Sequence, residues 1–202
     1  MSMKKTFFGA LPDGKPVDCY TIENQNGMRA EILTYGGTLN KLYVPDQNGV
    51  FADVLIGFDT LEGHLNHSDY QGMLVGRYAN RIADGAFVLN GEEYHVTKNE
   101  NQITCLHGGG EFSHAVWDAQ PVGEDALRLS YESPEGAQGF PGRVTAHAVY
   151  TLTQENVLRI DYYAVSDRDT ILNLTNHAYF NLGGYDAVSY THLRAHETGR
   201  NL

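Results

Sequence analysis

The chain has 202 residues, enough for one or two ordinary domains, and its 42% hydrophobic content fits a globular core. A formal net charge of −11 and a pI near 5.1 exclude the basic surface that a nucleic-acid partner needs, and favour a neutral small molecule instead. No apolar run reaches the roughly 18 residues of a membrane span. The start, MSMKKTFFGALPDGKPVD, carries two lysines but too short an apolar stretch for a signal peptide. Cys19 and Cys105 form no disulfide framework and match no zinc spacing, so they are expected to be reduced thiols of a cytoplasmic protein. Nothing in the sequence sets an oligomeric state.

In chain order, PDQNGVFADV reads as a loose turn. DTLEGHLNH predicts one short helix after Asp59, with His64 and His67 facing solvent. AFVLNGEEYHV predicts a hairpin, because Asn90-Gly91 supplies the positive φ angles of a primed turn. ALRLSYES places Leu127, Leu129 and Tyr131 opposite Arg128, Ser130 and Glu132. RVTAHAVYTL puts Val144, Ala146, Ala148, Tyr150 and Leu152 on one face. QENVL is another loose turn, and NVLRIDYYAV aligns Leu158, Ile160, Tyr162 and Ala164 against Arg159 and Asp161. Such period-two alternation predicts half-buried strands of a largely antiparallel sheet. No repeat, linker or low-complexity segment divides residues 5–186. The expectation is an all-β chain, a sandwich or a barrel.

Four stretches read as neither plain strand nor plain turn. In GRYANRIADG, Gly76 to Gly85, Asn80 and Arg81 sit among small and apolar residues. Arg81 is either a loop brace tied to carbonyls or a ligand contact; its rigid fork of donors suits both. In CLHGGGEF, Cys105 to Phe112, His107 precedes three glycines, and the bland reading is a structural histidine at a turn. The spacing of His107, Glu111 and His114 matches no metal-ligand motif, so no metal is expected. SPEGAQGFPGRV, Ser133 to Val144, reads as a surface connection, with Phe140 as a conceivable lid residue. In LNLTNHAYFNLGG, Leu172 to Gly184, His177 and Tyr179 share a face of an extended segment, with Asn173, Asn176 and Asn181 around them. Those amides need partners, either within the protein or on a hydroxyl-rich ligand, and the ligand is the reading taken. Two imidazoles, a guanidinium and several amides, with no nucleophile motif, suit proton transfer on a neutral polyol.

NRI with its flanking GRYA, the LHGGG of residues 106–110 and TNHAYFNLGG together resemble the aldose 1-epimerase (galactose mutarotase) family. TNHAYFNL is the most specific piece, and the resemblance covers residues 1–186 in the family's order. It implies a large antiparallel β-sandwich, truncated here on its C-terminal side, and cofactor-free interconversion of the α and β anomers of hexoses such as galactose and glucose. By resemblance His177 is the general acid, and His107 is the ring-oxygen contact or auxiliary acid. Asn80 and Arg81 are sugar-hydroxyl contacts. Tyr179 joins the substrate-binding set because it shares a face with His177. The family's base, a downstream glutamate, has no counterpart here, so this chain alone is expected to be inactive. Two alternatives stand beside this: a non-catalytic carbohydrate-binding module on the same fold, and an epimerase of phosphorylated hexoses.

The tail has a different texture. VSYTHLRAHET, Val188 to Thr198, reads in one frame as a translated transposon-type sequencing adapter, which resumes at Asn201-Leu202 after an index. Residues 1–186 are therefore expected to be the biological portion and 187–202 a non-native tail. His192, His196 and Glu197 are kept out of any site.

Overall fold

The computed structural model describes residues 2–67 and 69–183; the expected boundary at 186 and the tail, 187–202, lie outside the described residues. The first sheet is five-stranded and antiparallel: β1 Ser2–Ala10, β2 Pro16–Glu23, β3 Arg29–Leu33, β4 Leu39–Pro45 and β5 Phe51–Asp53, in that order. A middle region of short pieces follows. It holds β6 Leu55–Ile56, α1 Leu61–Asn66, β7 Leu74–Val75, β8 Arg81–Ile82, β9 Ala86–Leu89, β10 Glu92–His95, β11 Cys105–Leu106 and α2 Glu111–His114. The second large sheet is a four-stranded antiparallel meander of β12 Asp118–Val122, β13 Ala126–Ser133, β14 Val144–Leu152 and β15 Leu158–Ser166. Two short strands, β16 Thr175–Asn176 and β17 Tyr179–Phe180, return to the middle region. The all-β expectation holds.

The two large sheets bury one shared core. Ile22, Ala30, Ile32 and Leu39 come from the first sheet, Leu127, Leu129, Val144 and Ala146 from the second, with Phe112 and Trp117 between them. β14 shows the strict alternation the sequence predicts, with Val144, Ala146, Ala148, Tyr150 and Leu152 all buried. Val144 and Leu152 each contribute about 1.5–3 kcal/mol of transfer free energy, and the two alanines less. Tyr150 also crosses between sheets: its hydroxyl donates to the Gly37 carbonyl at 2.6 Å. The expected hairpin forms as β9–β10, with Leu89 opposite Glu92 and positive φ at Asn90 (54°) and Gly91 (82°).

Three expectations change. His64 is not solvent-facing. The helix starts as predicted, with the Thr60 hydroxyl accepting from the Gly63 amide at 3.2 Å. But His64 is only 2% exposed, set against Phe58 and Phe8, with Nε2 2.9 Å from Asn40 Oδ1. Phe140 is no lid: it is fully buried with Ile82, Val96 and Cys105. β15 alternates as expected, but Tyr162 remains 38% exposed. The reason is position: β15 is the sheet edge, paired with β14 alone among the described residues. Cys19 and Cys105 are both free and buried. Among the described residues no helix is long and apolar enough to cross a membrane.

Candidate active site

The stretch from Gly72 to Ile82 is a spine to which two histidine-bearing segments are stitched. On one side β7 pairs with β16, Val75 opposite Thr175 and Leu74 opposite Asn176. The next residue continues the pairing: the His177 amide donates to the Met73 carbonyl at 2.8 Å, and the Gly72 amide donates to the His177 carbonyl at 3.0 Å. β17 then zips onto β6. On the other side β8 pairs with β11, Arg81 opposite Leu106. Beyond it the His107 amide donates to the Asn80 carbonyl at 3.0 Å, and the Asn80 amide donates to His107 Nδ1 at 3.0 Å.

This stitching brings His107 and His177, seventy positions apart, to a ring-centroid distance of 5.1 Å in an edge-to-face arrangement. Tyr179 lies 5.1 Å from His177, on the same side as its spacing predicts. Tyr70, which sequence reasoning missed, completes the cluster at 4.8 Å from His107, 6.1 Å from His177 and 6.0 Å from His114. No periodicity signals Tyr70, because it sits in a turn at φ 55°.

The segment 175–180 has two faces. His177 and Tyr179 belong to the ring cluster, while Asn176, Ala178 and Phe180 line a separate, largely apolar groove of about 420 Å3 with Met28, Leu42 and Ile160. That groove contains none of the clustered imidazoles. Asn176 does not await a ligand. Its Nδ2 donates to the Gly72 carbonyl at 2.7 Å and to the Tyr150 hydroxyl at 3.2 Å, and its Oδ1 accepts from the Ala178 amide at 2.9 Å. The ligand reading of that amide gives way to an internal one.

The two arginines of GRYANR have separate jobs. Arg77, which the sequence did not single out, is fully buried. It donates to the Ser133 hydroxyl and to the carbonyls of Ser133, Pro134, Pro141 and Gly142. It is the carbonyl-tied brace considered for Arg81. Arg81 is exposed, with Nε and Nη2 donating to the Glu100 carboxylate at 2.6 and 2.5 Å and Nη1 to Asn80 Oδ1 at 3.4 Å. Its fork retains further donors on Nη1 and Nη2. Its ion pair with Glu100 raises the guanidinium pKa and lowers that of the carboxyl.

Burial, then the neighbouring His177 and Arg81, push the His107 pKa down to about 4. Burial also lowers His114 and raises Tyr70. The Glu111 carboxylate accepts from the hydroxyls of Tyr131 (3.1 Å) and Ser133 (2.9 Å). Among the described residues no group of three His, Cys, Asp or Glu side chains is placed to hold a metal ion.

A paired imidazole cluster beside an ion-paired arginine is suited chemically to proton transfer on a hydroxyl-bearing ligand. A sequence model of the aldose 1-epimerase family matches residues 18–199. The chain belongs to the aldose 1-epimerase family. It is 43% identical over 180 residues to the aldose 1-epimerase of Haemophilus influenzae, covering 89% of this chain and 52% of that protein. It is 38% identical over 186 residues to the galactose mutarotase of Rattus norvegicus, covering 91% and 53%. Among solved structures, it matches the aldose epimerase homologue from C. elegans with a TM-score of 0.78 at 33% identity, covering 92% of this chain and 53% of the other. Galactose 1-epimerase from Lactobacillus acidophilus matches with a TM-score of 0.77 at 32% identity, covering 90% and 54%. The chain thus spans about half the length of the curated relatives it matches.

Proposed function

We propose that this chain carries the acid side of an aldose 1-epimerase site, acting on hexoses such as galactose or glucose. The observation that supports it most is the 5.1 Å pairing of His107 with His177 on a family-typical frame. In the proposed reaction a base takes the proton from the anomeric hydroxyl while His177 protonates the ring oxygen. The C1–O5 bond breaks as C1 becomes an aldehyde. Rotation about C1–C2 and the reverse proton transfers give the other anomer. A general acid contributes about 10²–10⁴ in rate.

Tyr179 and the remaining donors of Arg81 are well situated for sugar hydroxyls, with Asn80 beside them. The base is assigned by family resemblance to a glutamate with no counterpart in these residues, so the 202-residue chain alone is expected to be inactive. The acidic charge supports a neutral small-molecule partner rather than nucleic acid. Two free buried thiols support a reducing, cytoplasmic setting.

The test is polarimetry of freshly dissolved α-D-glucose and α-D-galactose. It compares the chain alone with a chimera in which residues 1–186 are followed by the remaining length of the Haemophilus influenzae relative. The chimera should speed equilibration and the chain alone should not. His177→Ala in the chimera should lose about 10²–10⁴ of the rate. A near-parental rate in that variant moves the acid role elsewhere.

A further inference from the structure

We infer that Asn80 is a positioning residue whose backbone N–H fixes His107 in the neutral tautomer protonated at Nε2, so that His107 serves as a permanent hydrogen-bond donor and leaves the proton transfer to His177. This deepens the proposed epimerase reading and rests on it.

A backbone amide only donates. An Asn80 N–H directed at His107 Nδ1 at 3.0 Å therefore requires a lone pair on that nitrogen. In a neutral imidazole the proton must then sit on Nε2, the nitrogen left free of this contact. The contact is one half of a two-way pairing, since the His107 amide donates back to the Asn80 carbonyl at 3.0 Å. The pairing continues the β8–β11 ladder, in which Arg81 faces Leu106. Asn80 and His107 both take positive φ, 67° and 51°, so two left-handed residues face each other at the end of the ladder. Asn is among the few non-glycine residues that tolerate this conformation at low cost.

The neighbourhood opposes a charged ring. Protonating Nδ1 would set one N–H against another. The groups facing His107 are Tyr70, His177, Arg81 and Glu100. Arg81 disfavours a second cation. Glu100 would favour one, but its two carboxylate oxygens are already engaged by Arg81. The consequence is a division of labour, in which a fixed Nε2–H donor on one imidazole leaves the other to change protonation.

The test uses the 202-residue chain with 15N-labelled histidine, read by long-range 1H–15N correlation spectra from pH 8 to pH 5, with His107→Gln giving the assignment. The expected result is an unprotonated Nδ1 and a protonated Nε2 for His107 across the series. Asn80→Gly keeps the backbone conformation and the tautomer. Asn80→Val, with a β-branched side chain in the left-handed region, releases the ring and lets it titrate or change tautomer. In the epimerase chimera, Asn80→Gly raises KM through the lost amide with kcat within about threefold, whereas Asn80→Val lowers kcat by about 10–100-fold as the imidazole loses its orientation. If Asn80→Val fails to fold, the pH series on the parent and on Asn80→Gly still decides. A His107 that is protonated at Nδ1, or that charges between pH 6 and 7, overturns the inference. A locked tautomer in a chimera without mutarotase activity would instead sink the epimerase reading and leave the tautomer assignment standing.

Discussion

A Cβ at Gly108 would lie 2.3 Å from the Arg77 backbone nitrogen and 2.3 Å from the Gly76 carbonyl oxygen. The glycine after His107 is therefore the point where one site loop rests directly on the backbone of the spine, at φ 61°. The obstacle is main chain rather than a flexible side-chain end, so neither partner yields. Gly108→Ala should displace His107 and destabilise the domain. The cost should exceed the roughly 1 kcal/mol expected of a glycine-to-alanine change at an open position of the same φ. Chemical denaturation and the His107 nitrogen shifts would report it, and an unperturbed variant would show that the loop floats free of the spine.

Arg77 anchors the same spine from below. Its guanidinium satisfies four carbonyls and one hydroxyl along residues 133–142; burial disfavours its charged form, and these partners, together with the charges of Glu111 and Glu135 nearby, offset that cost. Arg77→Met should cost about 3 kcal/mol or more, since buried carbonyls lose their donors together. Arg77→Lys should recover little, because an ammonium cannot fork between Ser133 on one side and Pro141 and Gly142 on the other. Urea melts of both variants provide the comparison; equal stability of the lysine variant and the parent would refute the geometric claim.

Tyr70 lies with its ring centroid 4.8–6.1 Å from those of three imidazoles, so its ring should matter more than its hydroxyl. In an active epimerase chimera, Tyr70→Phe should stay within about threefold of the parental mutarotation rate. Tyr70→Ala should fall about 10–100-fold as the histidines shift by a fraction of an ångström. The reverse order would make the phenol a direct participant.

His64 sets part of the acid stability. Burial pushes its folded-state pKa from 6.5 down to about 4. Between those values the unfolded chain binds more protons than the folded one, so stability is full above about pH 6.5 and falls as pH drops toward 4. The full effect is on the order of 3 kcal/mol. His64→Gln keeps a donor for Asn40 Oδ1 but cannot titrate, so its urea midpoint should decline less between pH 7 and pH 4.5. Parallel declines would move the acid sensitivity to other groups whose pKa the fold lowers, such as His107, His114 and His147.

The sequence by itself determined the strands and turns whose causes are local. The alternation of Val144, Ala146, Ala148, Tyr150 and Leu152 names a buried face because side chains on a strand alternate whatever lies opposite. Asn90-Gly91 closes β9–β10 because the turn's backbone angles belong to those two residues. His107, His177 and Tyr179 were legible as candidates from their motifs, and the frame of the family with them. Tertiary structure decided the rest, because the partners lie far along the chain. Arg77 and Arg81 are the same residue type four positions apart. Which one is buried was settled by carbonyls 56–65 residues downstream for Arg77 and by Glu100 for Arg81. The Asn176 amide was claimed by Gly72 and Tyr150, 104 and 26 positions away. His64 was drawn inside by Asn40 and the two phenylalanines beside it. Periodicity reports the face a residue occupies, but only the packed chain supplies the partner that fixes its charge, its tautomer and its use.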